Sequence, residues 1–500
     1  DTTGGEKNET DFTKKTQPSD SPVLGSQLTY TGPSLNVANA NDDDETRDES
    51  TTALKTAAEN FRNTAENVTN YVIKIINKVK DSALNVTLED VNIKANNDAA
   101  LSVEGAGNTT ITLKGDNTLT SDGKHAGLEH NEKSDGGATT GKLTITSETD
   151  KNGNNTGSLT ATGSGASAGI GSVWNSGNYS DSGAGDIEIT GGDITAIGAS
   201  DGAGIGSGCK ATGNTNITIS GSAKIKAQTE QGGAGIGSGN SSRNITVTIQ
   251  GGTIKKAQGG NGTGFAGHGI HSDSTLNISG GTIGTAQGGN GRYGGDGIRS
   301  DSTLNISGQA SIQNATGGDN QSTGGSGIYS VGELTISGGT IGTAQGGNGN
   351  SSRSGTGGDG IYSKTMEILG GIIQKAIGGN AKGNTCTGGS GIHSDGTLTI
   401  SGGEIQQATG GDSTGNSGKG GTGIRGDQVV NISGGAIGSA KGGSGGGAGI
   451  GTGASPAFDT EINISGGTIT EAIGGTGGAG IGSGSNSSKA TTINITGGTI

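Results

Sequence analysis

His271, Arg299, Tyr329, Tyr362, His393 and Arg425 each follow a Gly-Ile pair, and they recur about every 30 residues. The two stretches "GIHSDSTLNISG" and "GIRSDSTLNISG" differ only at this position. Imidazole and guanidinium groups pair with carboxylates, and rings and guanidinium planes offer flat faces to sugar rings. Three positions after each isoleucine stand Asp273, Asp301, Val331, Lys364, Asp395 and Asp427. Carboxylates here would accept bonds from sugar hydroxyls or ligate a hard cation such as calcium, which takes oxygen ligands. Asp296 and Asp359, both in "GGDGI", are candidate calcium ligands. Their surroundings echo the calcium-binding nonapeptide, but its nine-residue tandem is missing. The repeats on either side carry only glycine after the isoleucine, at Gly171, Gly206, Gly237, Gly451 and Gly482. Confinement to six adjacent repeats points to a ligand platform, an exposed row along which a linear polysaccharide would lie. The competing reading is a solvated face that tolerates bulk in these repeats.

Signals for catalysis are weak. There is no HExxH and no GxSxG, and the chain has five histidines. A GxGxxG arises by chance among 110 glycines, and no helix follows it. Carboxylate pairs for glycoside cleavage need a defined separation that sequence does not give. The chain is therefore read as a non-enzyme. Trp174, in "GSVWNSGNYS", fits packing or a loop tip as well as a sugar contact.

Composition narrows the class. Only 27% of the 500 residues are hydrophobic and 2% aromatic, too little for ordinary globular domains. Glycine lacks the every-third spacing of collagen. A net charge of −14 with no basic face disfavours a nucleic-acid partner. No run of 18 apolar residues offers a membrane span. The chain opens at Asp1 without a signal-like segment and ends within a repeat at "TGGTI", which predicts a trimmed form that continues past Ile500.

The frame that must position the six residues is a three-part repeat. One isoleucine sits in "NIS" (Ile278, Ile306, Ile336), one follows "GG" (Ile283, Ile312, Ile341), and one ends "GI" (Ile270, Ile298, Ile328). In "TLNIS", apolar Leu276 and Ile278 flank Asn277, the period-two pattern of a half-buried strand. "TIGTA" and "GIRSD" read as two further strands, and "GGNGRYGG" as a polar glycine loop. Three short strands and three turns per repeat predict one coil of an all-β parallel β-helix, right-handed by the crossover rule. One coil cannot bury a core alone, so stability is cooperative along the axis. Weaker coils, "LNVTLEDVNI", "TTITLKGDNTL" and "KLTITSE", extend the solenoid back to about residue 83, giving about 14 coils and about 65 Å.

The expected organisation is a disordered acidic leader over residues 1–50, an amphipathic helix over 51–82 and the β-helix over 83–500. Leu54, Ala58, Phe61, Ala65, Val68, Val72, Ile75 and Val79 alternate in steps of four and three. Such a helix caps the open first coil or pairs with a second copy as a coiled coil, making the chain an oligomer. Cys209 and Cys386 lie six repeats apart, about 29 Å along the axis, beyond disulfide reach. The sequons at Asn277 and Asn305 face outward on adjacent coils, where two glycans would crowd, which favours a bacterial surface protein.

The phrases "GAGIGSG" (202–208, 233–239 and 478–484), "NISGGTI", "TLKGDNTLTSDGKHAGLE" (112–129) and "GSLTATGSGASAGIGS" (157–172) resemble those of secreted bacterial carbohydrate-binding parallel β-helix proteins, over about residues 85–500. That resemblance implies a non-catalytic binder of plant polysaccharides, including polygalacturonate, with calcium involved. The shared motifs are frame residues, so no site residue transfers from the family. The long "AQGGNG" coils, the acidic leader and the heptad pattern depart from it and suit a longer surface stalk. The expectation is a secreted or cell-surface bacterial protein that binds polysaccharide or host glycan without cleaving it. The alternatives are an adhesin or stalk presenting a binding tip, and a polysaccharide lyase or hydrolase.

Overall fold

The computed structural model describes residues 72–500, apart from 79, 81–82, 134–138, 175–181, 455 and 457, together with the backbone of the strand Leu35–Ala38. The repeat folds as an all-β parallel solenoid of about 13 turns, one fewer than the repeat count predicts. Each turn contributes a strand to each of three faces. In one turn these are Ile298–Ser300 on the first face, Leu304–Ile306 on the second and Ser311–Thr316 on the third. Each pairs in parallel with its equivalents one turn before and after. The corner after "NISG" turns on a glycine. Gly339 has φ +76°, a conformation that side chains strain, and a Cβ there would meet the Ala310 carbonyl at 2.7 Å.

The core consists of stacked identical side chains. Ile298 lies opposite Ile270 and Ile328, Ile306 opposite Ile278 and Ile336, and Ile312 opposite Ile283 and Ile341. None of the nine is more than 1% exposed. Period-two alternation turns their neighbours outward. Those neighbours also form ladders: Asn305 Nδ2 donates to Asn277 Oδ1 at 2.9 Å, and Asn494 Nδ2 to Asn463 Oδ1 at 2.8 Å. In the first-face strands from Ile270–Ser272 to Ile392–Ser394 a serine points in. Ser300 and Ser330 are fully buried, and each donates to carbonyls of its own and the preceding turn.

The "AQGGNG" segments are more ordered than a polar glycine loop. Gly291–Tyr293, Asn320–Thr323, Gly349–Asn350 and Ala381–Lys382 form a separate four-stranded parallel sheet. A side-chain ladder fixes its register. The oxygens of Asn261, Asn290, Asp319, Asn348, Asn380 and Asp412 each accept the backbone N–H one turn on, at 2.7–3.0 Å. Only a residue with a short side-chain oxygen reaches that N–H, which explains "GGN" and "GGD" turn after turn.

The N-terminal boundary needs correction. Ile73–Ile76, placed within the helix by the heptad pattern, is a strand. It pairs with Leu101–Glu104 and with Leu35–Ala38. Ile73 and Ile75 point into the core, 5% and 0% exposed, while Lys74 points out. A β-branched alternation at the end of an open sheet finds a ready partner edge, and this outweighs a weak helical period. The solenoid sheet therefore extends back past residue 83 through Ile73–Ile76 to Leu35–Ala38. Leu35–Ala38 breaks the leader expected to be disordered. The rest of the leader, and residues 51–71 of the expected helix, lie outside the described residues. Among the described residues no helix is long and apolar enough to cross a membrane. Cys209 and Cys386 are free and buried.

Candidate functional site

Strand register brings the six residues after Gly-Ile into one row. His271 lies opposite Arg299, Arg299 opposite Tyr329, Tyr329 opposite Tyr362, Tyr362 opposite His393, and His393 opposite Arg425. Arg425 then meets Gly451, where the row ends. The glycine turns on either side have a different backbone. Gly171, Gly206, Gly237, Gly451 and Gly482 have φ between +117° and +137°, whereas none of the six row residues has a positive φ. The row is a stretch where the chain runs on as a strand instead of bending.

The row is less exposed than alternation predicts. His271 and His393 are buried, at 9% and 7% exposure, and the other four are half-buried. Spacing is the cause: planar groups one strand apart stack on one another. The Arg299 guanidinium carbon lies 4.7 Å from the Tyr329 ring centre, and Tyr329 and Tyr362 are stacked at 4.6 Å and 13°. Tyr362 meets His393 edge-on at 5.1 Å. The flat faces expected to meet sugar rings are thus largely used inside the row, which leaves the ring edges for a ligand.

The carboxylates brace this row from both sides. Asp301 accepts from Arg299 Nε at 2.6 Å and lies 3.3 Å from His271 Nε2. Asp427 holds Arg425 through two bonds of 2.6 and 3.0 Å. The Tyr362 hydroxyl donates to Asp395 at 2.5 Å. Asp273 turns away, and its two oxygens accept the N–H groups of Asn244 and Ile245 on the preceding turn. Val331 and Lys364 interrupt the acidic column, and Val331 is exposed.

The Asp296 and Asp359 carboxylates, the candidate calcium ligands, are each held by nitrogen donors. Asp296 accepts from the Ser326 N–H at 2.6 Å and from Arg299 at 3.1 Å, with His268 Nδ1 at 3.4 Å. Asp359 accepts from the Ser390 N–H at 2.5 Å and from His393 Nδ1 at 2.9 Å. These partners are all nitrogens, whereas calcium gathers about six to eight oxygens.

Electrostatics separate the groups. Burial pushes the Asp296 carboxyl up, partly offset by Arg299. Burial also pulls His268 well below its usual value, with His271 and Arg299 adding to the effect. Burial would raise Asp427, but His393 and Arg425 outweigh it and hold the carboxyl at about 2. Burial and Arg425 would lower His393, but Asp359 and Asp427 outweigh them and hold it above its usual value. The signs differ. The depressed Asp427 adds stability above the ordinary carboxylate range, on the order of 2 kcal/mol, which is lost as pH falls toward 2. The raised His393 adds stability present below about pH 6.5, which is lost as pH rises through its folded value. Taken together, Asp427 and His393 favour the folded state most between about pH 4 and 6.5, whereas the lowered His268 opposes them by losing stability as pH falls below about 6.5. In thermal melts His393→Gln should shrink the alkaline decline, which the raised His125 shares, and soften the acid one, because His393 helps hold Asp427 down; an unchanged alkaline limb in that variant would contradict the assignment.

Sequence reasoning passed over two further features. Phe265, 75% exposed, stacks on Tyr293 at 4.8 Å and 19°, an open aromatic surface on the loop sheet. Both lie in glycine loops without a repeating aromatic position, so no period marks them. At the N-terminal end of the first face, a cleft of about 290 Å³ is lined by Lys74, Asp98, Glu104, His125, Glu129 and Lys133, among others. Lys74 pairs with Glu104 at 2.8 Å, and His125 with the buried Glu129 at 2.8 Å, which raises the His125 pKa. Trp174 lies 5.1 Å from Lys124 Nζ, and its backbone N–H donates to Ser167. No family model, curated protein or solved structure matches the chain, so the assignment to the parallel β-solenoids rests on the repeat and on the strand register alone.

Proposed function

We propose that the protein binds a linear polysaccharide at the bacterial cell surface, without cleaving it, along the first face of the solenoid. The observation that carries this reading is the row itself: six polar side chains in register on six adjacent turns, pre-stacked through Arg299, Tyr329 and Tyr362. Pre-stacking reduces the conformational entropy lost when a ligand docks. The outward edges suit sugar hydroxyls, and Asp395, whose side chain is 49% exposed, is a ready acceptor. Phe265 adds the open ring face that the row lacks. Arg299 and Arg425 are already neutralised by Asp301 and Asp427, which favours neutral glycans over polygalacturonate. That same saturation is what a purely structural ladder would show, so the second reading is a stalk whose row locks the turns together.

A polysaccharide array decides between them. It should include cellulose, mucin glycans and polygalacturonate, with and without chelator, and should compare the parent with Tyr329→Ala/Tyr362→Ala. Both tyrosines are half-buried, so the double variant should keep its circular dichroism. Binding should weaken about 30-fold or more, the equivalent of losing one anchor of about 2 kcal/mol. Binding that survives the double change moves the site off the row. Binding to no glycan at all favours the stalk, and new reducing ends or unsaturated products would identify an enzyme.

A further inference from the structure

We propose that His393, Asp395 and Asp427 bind one divalent first-row transition-metal ion of the zinc type on the first face of the solenoid. One ligand atom from each residue lies within 4.8 Å of the others. His393 Nε2 is 3.4 Å from Asp395 Oδ1 and 3.7 Å from Asp427 Oδ2. A tetrahedral ion with bonds of about 2.0–2.1 Å keeps its ligands about 3.3 Å apart, so the imidazole nitrogen stands near ligand spacing from each carboxylate. His393 Nε2 is also a buried nitrogen without a hydrogen-bond partner, on a side chain 9% exposed. Such atoms are rare because leaving one unsatisfied costs its desolvation. A cation between the two carboxylates would satisfy it.

The surroundings of the histidine support the assignment. Asp359 lies 2.9 Å from Nδ1 on the far side of the ring. A carboxylate in that place keeps the proton on Nδ1, aims the Nε2 lone pair at the metal and raises its basicity. Arg425 occupies one position on each Asp427 oxygen, and Tyr362 takes the second oxygen of Asp395. A carboxylate has about four acceptor positions, so both keep a free one. Asp359, Asp395 and Asp427 face one guanidinium and the imidazole of His393 here, and a divalent ion would take the place of the proton on Nε2 between the carboxylates. Imidazole nitrogen beside carboxylate selects zinc-type ions over calcium, whose shell is all oxygen. Water would fill the remaining positions.

Calorimetry with zinc chloride on the chelator-stripped full chain tests this independently of any glycan. The expected result is one ion per chain, with calcium failing to displace it. His393→Gln and Asp395→Asn should each lower affinity at least tenfold. Asp359→Asn, which touches only the far ring nitrogen, should lower it about 10- to 100-fold. His125→Gln, at the other end of the face, should bind as the parent does. Thermal melts establish that each variant is folded, and Asp395→Asn, on the exposed side, serves if His393→Gln is not. No zinc uptake overturns the proposal, since His393 would then be held as a protonated ion pair. An unchanged stoichiometry and affinity in His393→Gln and Asp395→Asn, or equal competition by calcium, overturns it as well.

Discussion

Gly451→Tyr, which would add a seventh side chain to the row on paper, should instead unfold the turn that carries it. Gly451 sits at φ +137°, in a region open almost only to glycine, and a Cβ there would lie 1.9 Å from the Gly482 carbonyl oxygen. The backbone conformation alone costs about 1–3 kcal/mol for a side-chain-bearing residue. Relieving the clash means shifting a neighbouring strand, which adds a similar amount. The total is about 2–6 kcal/mol, enough to open the turn. Arg425→Tyr is the matched control, because Arg425 already has a backbone that accepts a side chain. Hydrogen exchange over residues 424–482 should show lost protection in Gly451→Tyr and native protection in Arg425→Tyr. Equal protection in both would mean that the ends of the row are not set by the backbone. The row's length would then reflect ligand or chance, not the geometry of the coil.

The same comparison shows what a repeat sequence discloses. Strand positions, the inward isoleucines and the alignment of His271 with Arg425 all follow from period and alternation, because a stacked coil repeats each position one strand spacing on. Alternation also says that Tyr329 and Tyr362 face out, and they do. It does not say what lies beside them, so the stacking that buries His393 was not legible. The loop ladder was hidden for a related reason. "GGN" and "GGD" look like turn punctuation, and only the structure shows Asn348 and Asp319 bonding to the next turn. Glycine at 451 and arginine at 425 differ by a side chain in the sequence and by a backbone bend in space. At the N-terminus, Val72 and Ile75 fit a heptad and a strand edge equally well; the open sheet decided between them. The orphan nitrogen of His393 and its two carboxylates come from two different turns, a proximity that only the register reveals.

Ile336→Asp should separate the solenoid into two independently protected blocks and abolish ligand binding without touching the row. Ile336 is 1% exposed and stacked between Ile306 and Ile368. A carboxylate there has no partner, and an uncompensated buried charge costs about 3–5 kcal/mol before the lost packing is added. In a solenoid each turn contacts only its neighbours, so this loss stays local and stability is read turn by turn. Hydrogen exchange should show protection failing around residues 328–345 while the turns near Ile219 and Ile464 remain closed. Tyr329 sits on the failing turn and Tyr362 stacks on it from the next, so glycan binding should fall. Ile219→Asp makes the same chemical insult to a residue 0% exposed in a glycine turn outside the row. It should cost as much locally and leave row binding intact. If both variants lose binding equally, the solenoid unfolds as one unit and cooperativity extends along its full length. If neither does, the ligand site lies away from the row, and the ladder from His271 to Arg425 serves to hold the turns in register.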